Sequence, residues 1–348
     1  MSEARSRPTV PTGGHLLMAA GVMLALTLAT AAACTLIGRE GFVSPWAVRG
    51  GRTQLNALWW LLVSRVVVAA IVGAGLAVAG TALQGLLRNP LADPYVLGIS
   101  SGAGVGYLVG LALAGESVGM ELLSWTTLPT LAGALLTCLV VYLLAQRRGR
   151  LDPFVLLLSG VIVNVLNGAI ILSLLIFVQG NDVVKFVGWG IGQIRDNQLD
   201  TETPLVAACA AAVLGGWAVV LVRSSAMNLL GLGDEVASSS GVGVHGLRIE
   251  TFLIVSVMTA AAVALAGPVG FVGLLVPHLC RLIVGPDHRK LAVLSGFAGA
   301  IFLIVADTFC RVAGEWVHKG LIPLGVVTAL VGGPLFIFLL RRHGREKR

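Results

Sequence analysis

Long apolar stretches decide what this sequence can fold into. A helix that crosses a bilayer needs about 20 mostly apolar residues, and ten stretches meet or approach that length. They lie at 15–36, 65–87, 95–114, 126–146, 154–178, 204–222, 250–266, 269–284, 291–313 and 324–340. Only 12% of the residues are charged, against about 25% in soluble domains, which excludes a water-soluble fold. The sequence therefore predicts an all-α polytopic membrane protein with about ten transmembrane helices.

The basic residues set the expected orientation, because Lys and Arg collect on cytoplasmic loops. With the N-terminus inside, 16 of the 24 basic residues fall on cytoplasmic segments and 8 fall outside. We therefore expect a cytoplasmic tail at 1–14, a single transmembrane domain at 15–340 and a basic cytoplasmic tail at 341–348. The net charge of +7 then reflects membrane topology, and no nucleic-acid partner is expected.

A short motif occurs twice. Ala-Val-Ala-Gly at 77–80, followed by Gly-Leu-Leu at 85–87, resembles Ala-Leu-Ala-Gly at 264–267, followed by Gly-Leu-Leu at 273–275. The copies begin five helices apart, so they cross the membrane in opposite directions. We expect an inverted repeat of helices 2–5 and 7–10, a plan that transporters use with the pathway at the repeat interface. Glycine and proline at 267–273 must interrupt a helix, either to line that pathway or to reverse the chain tightly.

The motifs for enzymatic chemistry are weak. Residues 98–102 fit the G-x-S-x-G nucleophile pattern, but no strand precedes them, and the candidate histidines His278 and His288 lie far along the chain. An intramembrane serine protease is therefore the enzyme alternative. There is no phosphate-binding G-x-x-x-x-G-K-[ST] loop, so ATP-driven transport would require a second polypeptide. The five cysteines show no metal-ligand spacing, and we expect no metal site, no bound cofactor and no catalytic residue.

Ionisable residues within the spans are sparse. Asp307 is the acid that lies well inside a predicted helix, and such residues are candidates for a functional site. Arg311 follows four residues later on the same helix face, where the two side chains can form an ion pair. An ion-coupled secondary transporter usually needs several such groups, and it remains the alternative from another transport class.

The longest polar stretch on the expected cytoplasmic side lies at 223–249, between helices 6 and 7. Asp234 and Glu235 favour the start of a short helix, and Leu229, Leu230 and Leu232 precede them at helix-like spacing. An amphipathic element outside the bilayer needs a surface against its apolar face. That surface is either the rest of this chain, over which the element would form a lid, or a cytoplasmic partner.

Three ordered motifs resemble hallmarks of the FecCD-type permeases, and the resemblance covers about residues 60–342. The first is Gln-Gly-Leu-Leu-Arg-Asn-Pro-Leu-Ala-Asp-Pro at 84–94 with Leu-Gly-Ile-Ser-Ser-Gly-Ala at 97–103. The second combines Gly-Pro-Val-Gly-Phe-Val-Gly-Leu at 267–274, Val-Pro-His at 276–278 and Gly-Pro-Asp-His-Arg at 285–289. The third is Asp-Thr at 307–308 with Arg311 and Pro-Leu-Gly-Val-Val-Thr-Ala at 323–329.

Permeases of this family are membrane subunits of ATP-binding-cassette importers for ferric siderophores, haem and vitamin B12. The resemblance implies a multi-pass protein of the bacterial inner (plasma) membrane that works by alternating access. Besides membrane lipid, its implied partners are a second copy in a homodimer, two cytoplasmic ATPases that use ATP and Mg, and a periplasmic binding protein. An iron complex, haem or a ferric siderophore, is the expected cargo, and vitamin B12 is the alternative.

The resemblance also assigns residues to three sites. The cytoplasmic gate corresponds to Asn89, Leu91, Pro153 and Phe154. The coupling region, which would sit on the ATPase, includes Leu229, Leu230, Leu232, Gly233, Asp234, Glu235, Ala237 and Gly241. Docking of the binding protein is assigned to Arg65 and Arg311, with Arg49, Arg52, Lys185 or Lys319 compensating for Leu62, which replaces a family arginine.

Overall fold

The computed structural model describes residues 13–38, 41–42, 53–114, 122–147, 149–196, 198–316 and 322–346, and it is predominantly helical. The helices are α1 (Gly13–Thr35), α2 (Thr53–Leu87), α3 (Ile99–Ala114), α4 (Leu122–Leu144), α5 (Pro153–Leu175), α6 (Gly180–Gly190), α7 (Gln198–Thr201), α8 (Thr203–Leu232), α9 (Asp234–Ser239), α10 (Val244–Ala266), α11 (Val272–Val284), α12 (His288–Trp316) and α13 (Leu324–Glu346). A 3-10 helix, Pro94–Leu97, precedes α3. Two small antiparallel hairpins pair β1 (Ile37–Gly38) with β2 (Gly41–Phe42) and β3 (Gln146–Arg147) with β4 (Arg150–Leu151).

Ten of these helices match the ten apolar stretches. Seven are long and apolar enough to cross a membrane, namely α1, α2, α4, α5, α8, α10 and α12. Three shorter apolar helices, α3, α11 and α13, complete the set. The prediction of an all-α polytopic membrane protein is confirmed.

Helix α2 forms the centre of the packing. It contacts α8, α10, α11 and α12 along its length, while α3 packs mainly on α4. In both α2 and α10, 72% of the most apolar window is buried inside the protein, against 6% in α1. Such buried helices are rich in alanine, valine and glycine, which allow close helix approach, whereas α1 presents most of its apolar surface to lipid.

Contacts at the helix ends establish the relative directions. Leu16 near the start of α1 and Arg289 near the start of α12 line one cavity, while Arg311 of α12 donates to the carbonyl of Cys34 near the end of α1. Helices α1 and α12 therefore run parallel, as expected for the first and ninth of ten crossings. At the same end as Arg311, Ser64 of α2 accepts a hydrogen bond from the backbone N–H of Leu199.

Several helices extend beyond their apolar stretches. Helix α2 begins at Thr53 rather than near 65, and α8 continues to Leu232 rather than ending near 222. The polar stretch at 223–249 is thus largely helical, because a helix satisfies its own backbone hydrogen bonds in water as well as in lipid. Only 233, 240–243 and the short α9 separate α8 from α10.

The glycine patterns mark close packing and one chain reversal. Helix α10 ends at Gly267, whose φ of +66° favours glycine, and α11 starts at Val272. A Cβ placed at Gly106 of α3 would lie 2.0 Å from the carbonyl oxygen of Pro129 in α4. Gly106 of α3 therefore serves helix packing, and the interruption at 267–273 separates two helices.

Candidate functional site

The predicted gate begins with a tight turn at the end of α2. The backbone N–H of Asn89 donates to the carbonyl of Gln84 at 3.1 Å, which terminates the helix, and the Asn89 side chain accepts from the N–H of Leu91 at 3.0 Å. Leu91 is 39% exposed. The turn is thus rigid in its backbone and presents an apolar side chain at its tip. We refer to residues 89–91 as the gate turn.

The second part of the predicted gate lies at the start of α5. Asp152 caps this helix by accepting from the N–H groups of Phe154 and Val155 at 2.9 and 3.1 Å. Phe154 is 75% exposed. Leu91 and Pro153 line two different cavities, of about 390 and 490 Å³. The joint role of the two parts as one gate stays a prediction.

The predicted coupling region folds as a short helix on a fixed base. Leu230, at the end of α8, is 1% exposed and Ala237, in α9, is fully buried. Leu232 is 72% exposed. Gly233 joins the two helices at a φ of +136°, and Gly241 ends the segment at +84°. One face of the region packs on the protein, and the other is uncovered.

The uncovered face of the coupling region mixes apolar and acidic side chains. Leu232 and Val236 are 72% and 42% exposed, Glu235 is exposed beside them, and Leu229 is partly exposed. The lid and the partner interpretations therefore each describe one face, because the buried face packs on this chain and no described part of the chain covers the exposed face.

The Gly-Pro-Asp-His-Arg motif at 285–289 holds the coupling region from another side. Asn228 of α8 donates through Nδ2 to Asp287 at 3.0 Å and accepts from the backbone N–H of His288 at 2.8 Å. The side chain of Asp287 also accepts from the N–H of Arg289 at 3.0 Å. The start of α12 and the end of α8 are therefore bonded together.

Arg88 connects the gate turn to the coupling region. Its Nε donates to the carbonyl of Leu230 at 2.8 Å, and its Nη2 forms an ion pair with Asp234. Both oxygens of the Asp234 carboxylate also accept hydrogen bonds from Nη2 of Arg248 in α10, at 2.9 and 2.8 Å. Arg88 belongs to the first motif, but Asp234 lies 146 residues away, so no sequence pattern indicates this contact.

Near the opposite ends of these helices, the two arginines assigned to docking, Arg65 and Arg311, belong to a buried ion network. Arg65 bonds Asp307 through Nη2 at 2.5 Å and Asp196 through Nη1 at 2.7 Å. Arg311 lies 3.2 Å from Asp307, which confirms the predicted pair, and donates to the carbonyl of Ile37 at 2.9 Å.

Burial changes the interpretation of the two assigned docking arginines. The side chains of Arg65 and Arg311 are only 5% and 2% exposed, because each is enclosed by carboxylates or carbonyls of this chain. In the described structure they hold α2 and α12 together, and a docking role would have to compete with these contacts, so that role stays a prediction. Arg49 and Arg52 lie outside the described residues, and their docking role stays a prediction.

A second charged cluster on that side involves residues that the sequence did not indicate. Arg195 forms an ion pair with Glu202 at 3.2 Å, and the Glu202 carboxylate also accepts from Thr127 at 3.1 Å. Desolvation lowers the pKa of Arg195, and the Glu202 carboxylate opposes that shift. These contacts join the chain before α7 to α4 and α8. Within the described residues, no group of three His, Cys, Asp or Glu side chains could hold a metal ion.

The two repeat motifs meet in the interior. Gln84 donates through Nε2 to the carbonyl of Leu274 at 3.2 Å and accepts from Arg281 at 3.3 Å. A Cβ at Gly80 would lie 1.8 Å from the carbonyl oxygen of Gly273. Both repeats therefore contribute to one interface behind the gate turn.

Comparison with known proteins assigns this arrangement to a family. Residues 22–342 match the sequence profile of the FecCD transport family. The chain belongs to the FecCD transport family. Since this family consists of permease subunits of ATP-binding-cassette importers, the chain is an integral permease of the plasma (inner) membrane.

Relatives of this FecCD permease carry different cargo names. It is 40% identical to the cobalamin import system permease of Halobacterium salinarum over 80% of this chain and 71% of that protein. It is 38% identical to the hemin transport system permease of Yersinia pestis over 84% and 86% of the two chains. A solved structure described as an inward-facing metal-chelate type ABC transporter superposes with a TM-score of 0.78 and 26% identity, covering 94% of this chain and 99% of that one.

The serine position of the G-x-S-x-G pattern at 98–102 is Ser100, and Ser101 follows it in α3. The Ser101 hydroxyl donates to the Gly98 carbonyl at 3.0 Å and to the Asn164 side-chain oxygen at 2.7 Å, and it accepts from Asn167 at 3.1 Å. These amide partners tie α3 to α5, so Ser101 acts in helix packing. Membership of a permease family gives the serine protease alternative no support.

Proposed function

We propose that two copies of this FecCD permease form the membrane path of an ATP-driven importer for a metal chelate, with an iron complex, haem or a ferric siderophore, as its cargo. Two cytoplasmic ATPases bind the coupling region, and an external binding protein delivers the cargo. ATP binding closes the two ATPases on each other, and the coupling region moves with them. The helices around the path then close it on one side of the membrane and open it on the other. The permease supplies the path and the ATPases supply the free energy.

The uncovered face of the coupling region carries this proposal. A short helix outside the membrane spans exposes Leu232 and Val236, and apolar side chains clustered on a water-facing surface indicate a protein contact. The acidic Glu235 lies beside them, which adds charge complementarity for a basic partner surface. The buried Ala237 anchors the helix to the protein, so a partner that displaces its exposed face also displaces the membrane helices.

The acid inside the membrane helices argues against coupling to an ion gradient. Asp307 is 1% exposed and is paired with two arginines. A site that binds and releases protons or sodium needs a carboxylate that can change partners, whereas two buried guanidiniums bond this one within the protein. The free energy for transport is therefore assigned to a separate subunit.

Vitamin B12 is the second candidate cargo. The relative with 40% identity is named for cobalamin import and the one with 38% for hemin, and both names denote a metal held in a large macrocyclic ring. The shared chemistry is a bulky metal chelate, which the permease would pass without ligating the metal.

Uptake by vesicles tests the proposal. The permease is reconstituted alone, with its ATPase, and with an ATPase variant that binds but does not hydrolyse ATP, together with the binding protein. Haemin, a ferric hydroxamate siderophore and cyanocobalamin are offered separately. We expect concentrative uptake of an iron complex only with the active ATPase and ATP, and unchanged uptake when an ionophore collapses ion gradients. Uptake by the permease without its ATPase would contradict the mechanism, and so would loss of ATP-driven uptake when the ionophore is added. Uptake of cyanocobalamin but of neither iron complex would reassign the cargo.

A further inference from the structure

We propose that Arg88 is a positioning residue that transmits movement of the coupling region to the gate turn. The inference rests on the proposed function, because it assumes that an ATPase moves α9. It assigns a role to a side chain that belongs to neither the gate residues nor the coupling residues predicted from the sequence. Its evidence is a strained backbone at Arg88 together with two contacts made by its guanidinium, one with the Leu230 carbonyl and one with Asp234.

The backbone at Arg88 has a conformation that normally requires glycine. Its φ is +49°, and the hydrogen bonds from Arg88 N to the Gly85 carbonyl and from Asn89 N to the Gln84 carbonyl, at 3.3 and 3.1 Å, end α2. Helices often end in this way with glycine in the left-handed position. An arginine there costs free energy that a glycine would not. Such strain persists where the side chain has a use.

The side chain spans the joint between the two parts of the coupling region. Its Nε holds the carbonyl of Leu230, the residue at the fixed base of α8, and its Nη2 pairs with Asp234, the first residue of α9. Gly233 lies between these two anchors with a φ of +136°, and glycine permits rotation there. A displacement of α9 about Gly233 therefore pulls on Asp234 and, through it, on Arg88.

Asp234 is shared with a third element. Arg248 of α10 donates to both of its carboxylate oxygens, at 2.9 and 2.8 Å. The carboxylate thus links α9 to the end of α2 and to the start of α10, which are the first helices of the two repeats. A single movement of α9 can act on both repeats through one side chain.

The gate turn is the next structure along the chain. Asn89 follows Arg88 directly, and the turn is stiff because the Asn89 side chain accepts from Leu91 N at 3.0 Å. A torque on Arg88 is therefore passed to Leu91 rather than absorbed by a flexible loop. Ion pairs that are this exposed, at 37% and 44% for the two side chains, add little stability. The contact is better suited to transmission between conformations than to holding the fold.

Replacement of Arg88 by glycine separates this role from a structural one. Arg88→Gly removes the guanidinium, and glycine adopts the left-handed backbone conformation without strain. If Arg88 served only to end α2, this variant would therefore fold and transport normally. Asp234→Asn removes the same link from the other side while keeping the side-chain shape. Arg341→Ala, which removes an exposed arginine from the cytoplasmic end of α13, is the control.

The experiment uses the complete complex in vesicles and measures three quantities: ATPase retained on the permease, ATP hydrolysed, and cargo molecules taken up per ATP. We expect Arg88→Gly to retain the ATPase and hydrolyse ATP at a rate near wild type, but to lose at least about fivefold in cargo per ATP, the lower range of coupling between distinct sites. Asp234→Asn should lower the cargo per ATP by a similar factor. Arg88→Lys, which keeps a cation beside Asp234, should recover part of the loss.

The results that overturn the inference are separate from those that overturn the proposed function. An unchanged cargo-to-ATP ratio in Arg88→Gly, with an active wild-type complex, refutes the transmission role. So does a loss of ATPase binding in that variant, since Arg88 would then be part of the docking surface. If the wild-type complex shows no ATP-driven uptake, the proposed function fails instead.

Discussion

Removal of the Asp307 carboxylate is expected to destabilise this permease more than any single change at its surface. Asp307, Arg65 and Arg311 have side chains that are 1%, 5% and 2% exposed, and Asp196 supplies the fourth charge at 48% exposure. Two positive and two negative groups balance each other. Asp307→Asn keeps the shape of the side chain but leaves two buried guanidiniums with one half-exposed carboxylate.

The expected magnitude follows from burial. Breaking a buried ion pair by removing one partner costs about 3–5 kcal/mol, because the remaining charge is uncompensated. The matched control is Asp196→Asn, which removes one negative charge from the same network at a partly exposed position and should cost about 0.2–1 kcal/mol. At about 2 °C per kcal/mol for a large domain, the two variants should lower the unfolding midpoint by roughly 6–10 °C and by at most about 2 °C.

The protein carries its own probe for this measurement. Its five cysteines are free and buried, at positions Cys34, Cys138, Cys209, Cys280 and Cys310. A fluorogenic thiol reagent therefore reports unfolding of the detergent-purified protein as the temperature rises. A second change, Arg311→Met in the Asp307→Asn background, should restore part of the loss by removing the unpaired cation. Equal midpoints for Asp307→Asn and Asp196→Asn would refute the reasoning from burial.

Two further perturbations probe the helix interface and the loop before the 3-10 helix. Gly80→Ala should greatly reduce the yield of folded protein, because its Cβ would lie 1.8 Å from the Gly273 carbonyl oxygen. The control is Gly231→Ala, whose Cβ would have no neighbouring atom within 4 Å. It should be neutral or stabilising in size-exclusion and thermal assays. Asp93 reaches the surface in part, but its carboxyl is enclosed by protein, and desolvation raises its pKa from 3.8 to about 6. The stability linked to this carboxyl is therefore complete below about pH 4 and lost as the pH rises through about 6. Asp93→Asn keeps an acceptor for Tyr95 N and should flatten the pH dependence of the unfolding midpoint in that range. An unaltered profile in this variant would contradict the assignment.

The helices of this permease could be predicted from the sequence, because the length of an apolar stretch is a local property that the bilayer imposes. All ten expected stretches correspond to apolar helices. The extra ten residues of α8, up to Leu232, could not be found in this way. Polar and apolar residues alternate there, and whether they form a helix depends on the surface on which they pack.

The candidate site was only partly predictable, since the sequence reveals neighbours on one helix but not between helices. The pair of Asp307 and Arg311 follows from a spacing of four residues, and it is present at 3.2 Å. Arg65 lies 242 residues from Asp307, so no sequence pattern indicates this second pair, and the family resemblance assigns Arg65 only to docking. Its contact with Asp307 follows from burial, and burial is a property of the packed structure.

The placement of polar contacts in this permease suggests which parts move during transport. Between the ends of the bundle, Gly80 lies against Gly273 and Gly73 against Gly299, so that backbone contacts backbone. Steric contacts of this kind hold helices at a fixed distance but do not fix a sliding position as a hydrogen bond does. The outer network around Asp307 is buried and locks α2 to α12, whereas the cytoplasmic contacts of Arg88 and Asp234 are exposed and easily exchanged. We therefore expect α2 and α12 to move as one body pivoting at the outer network, with the larger displacement at the gate turn.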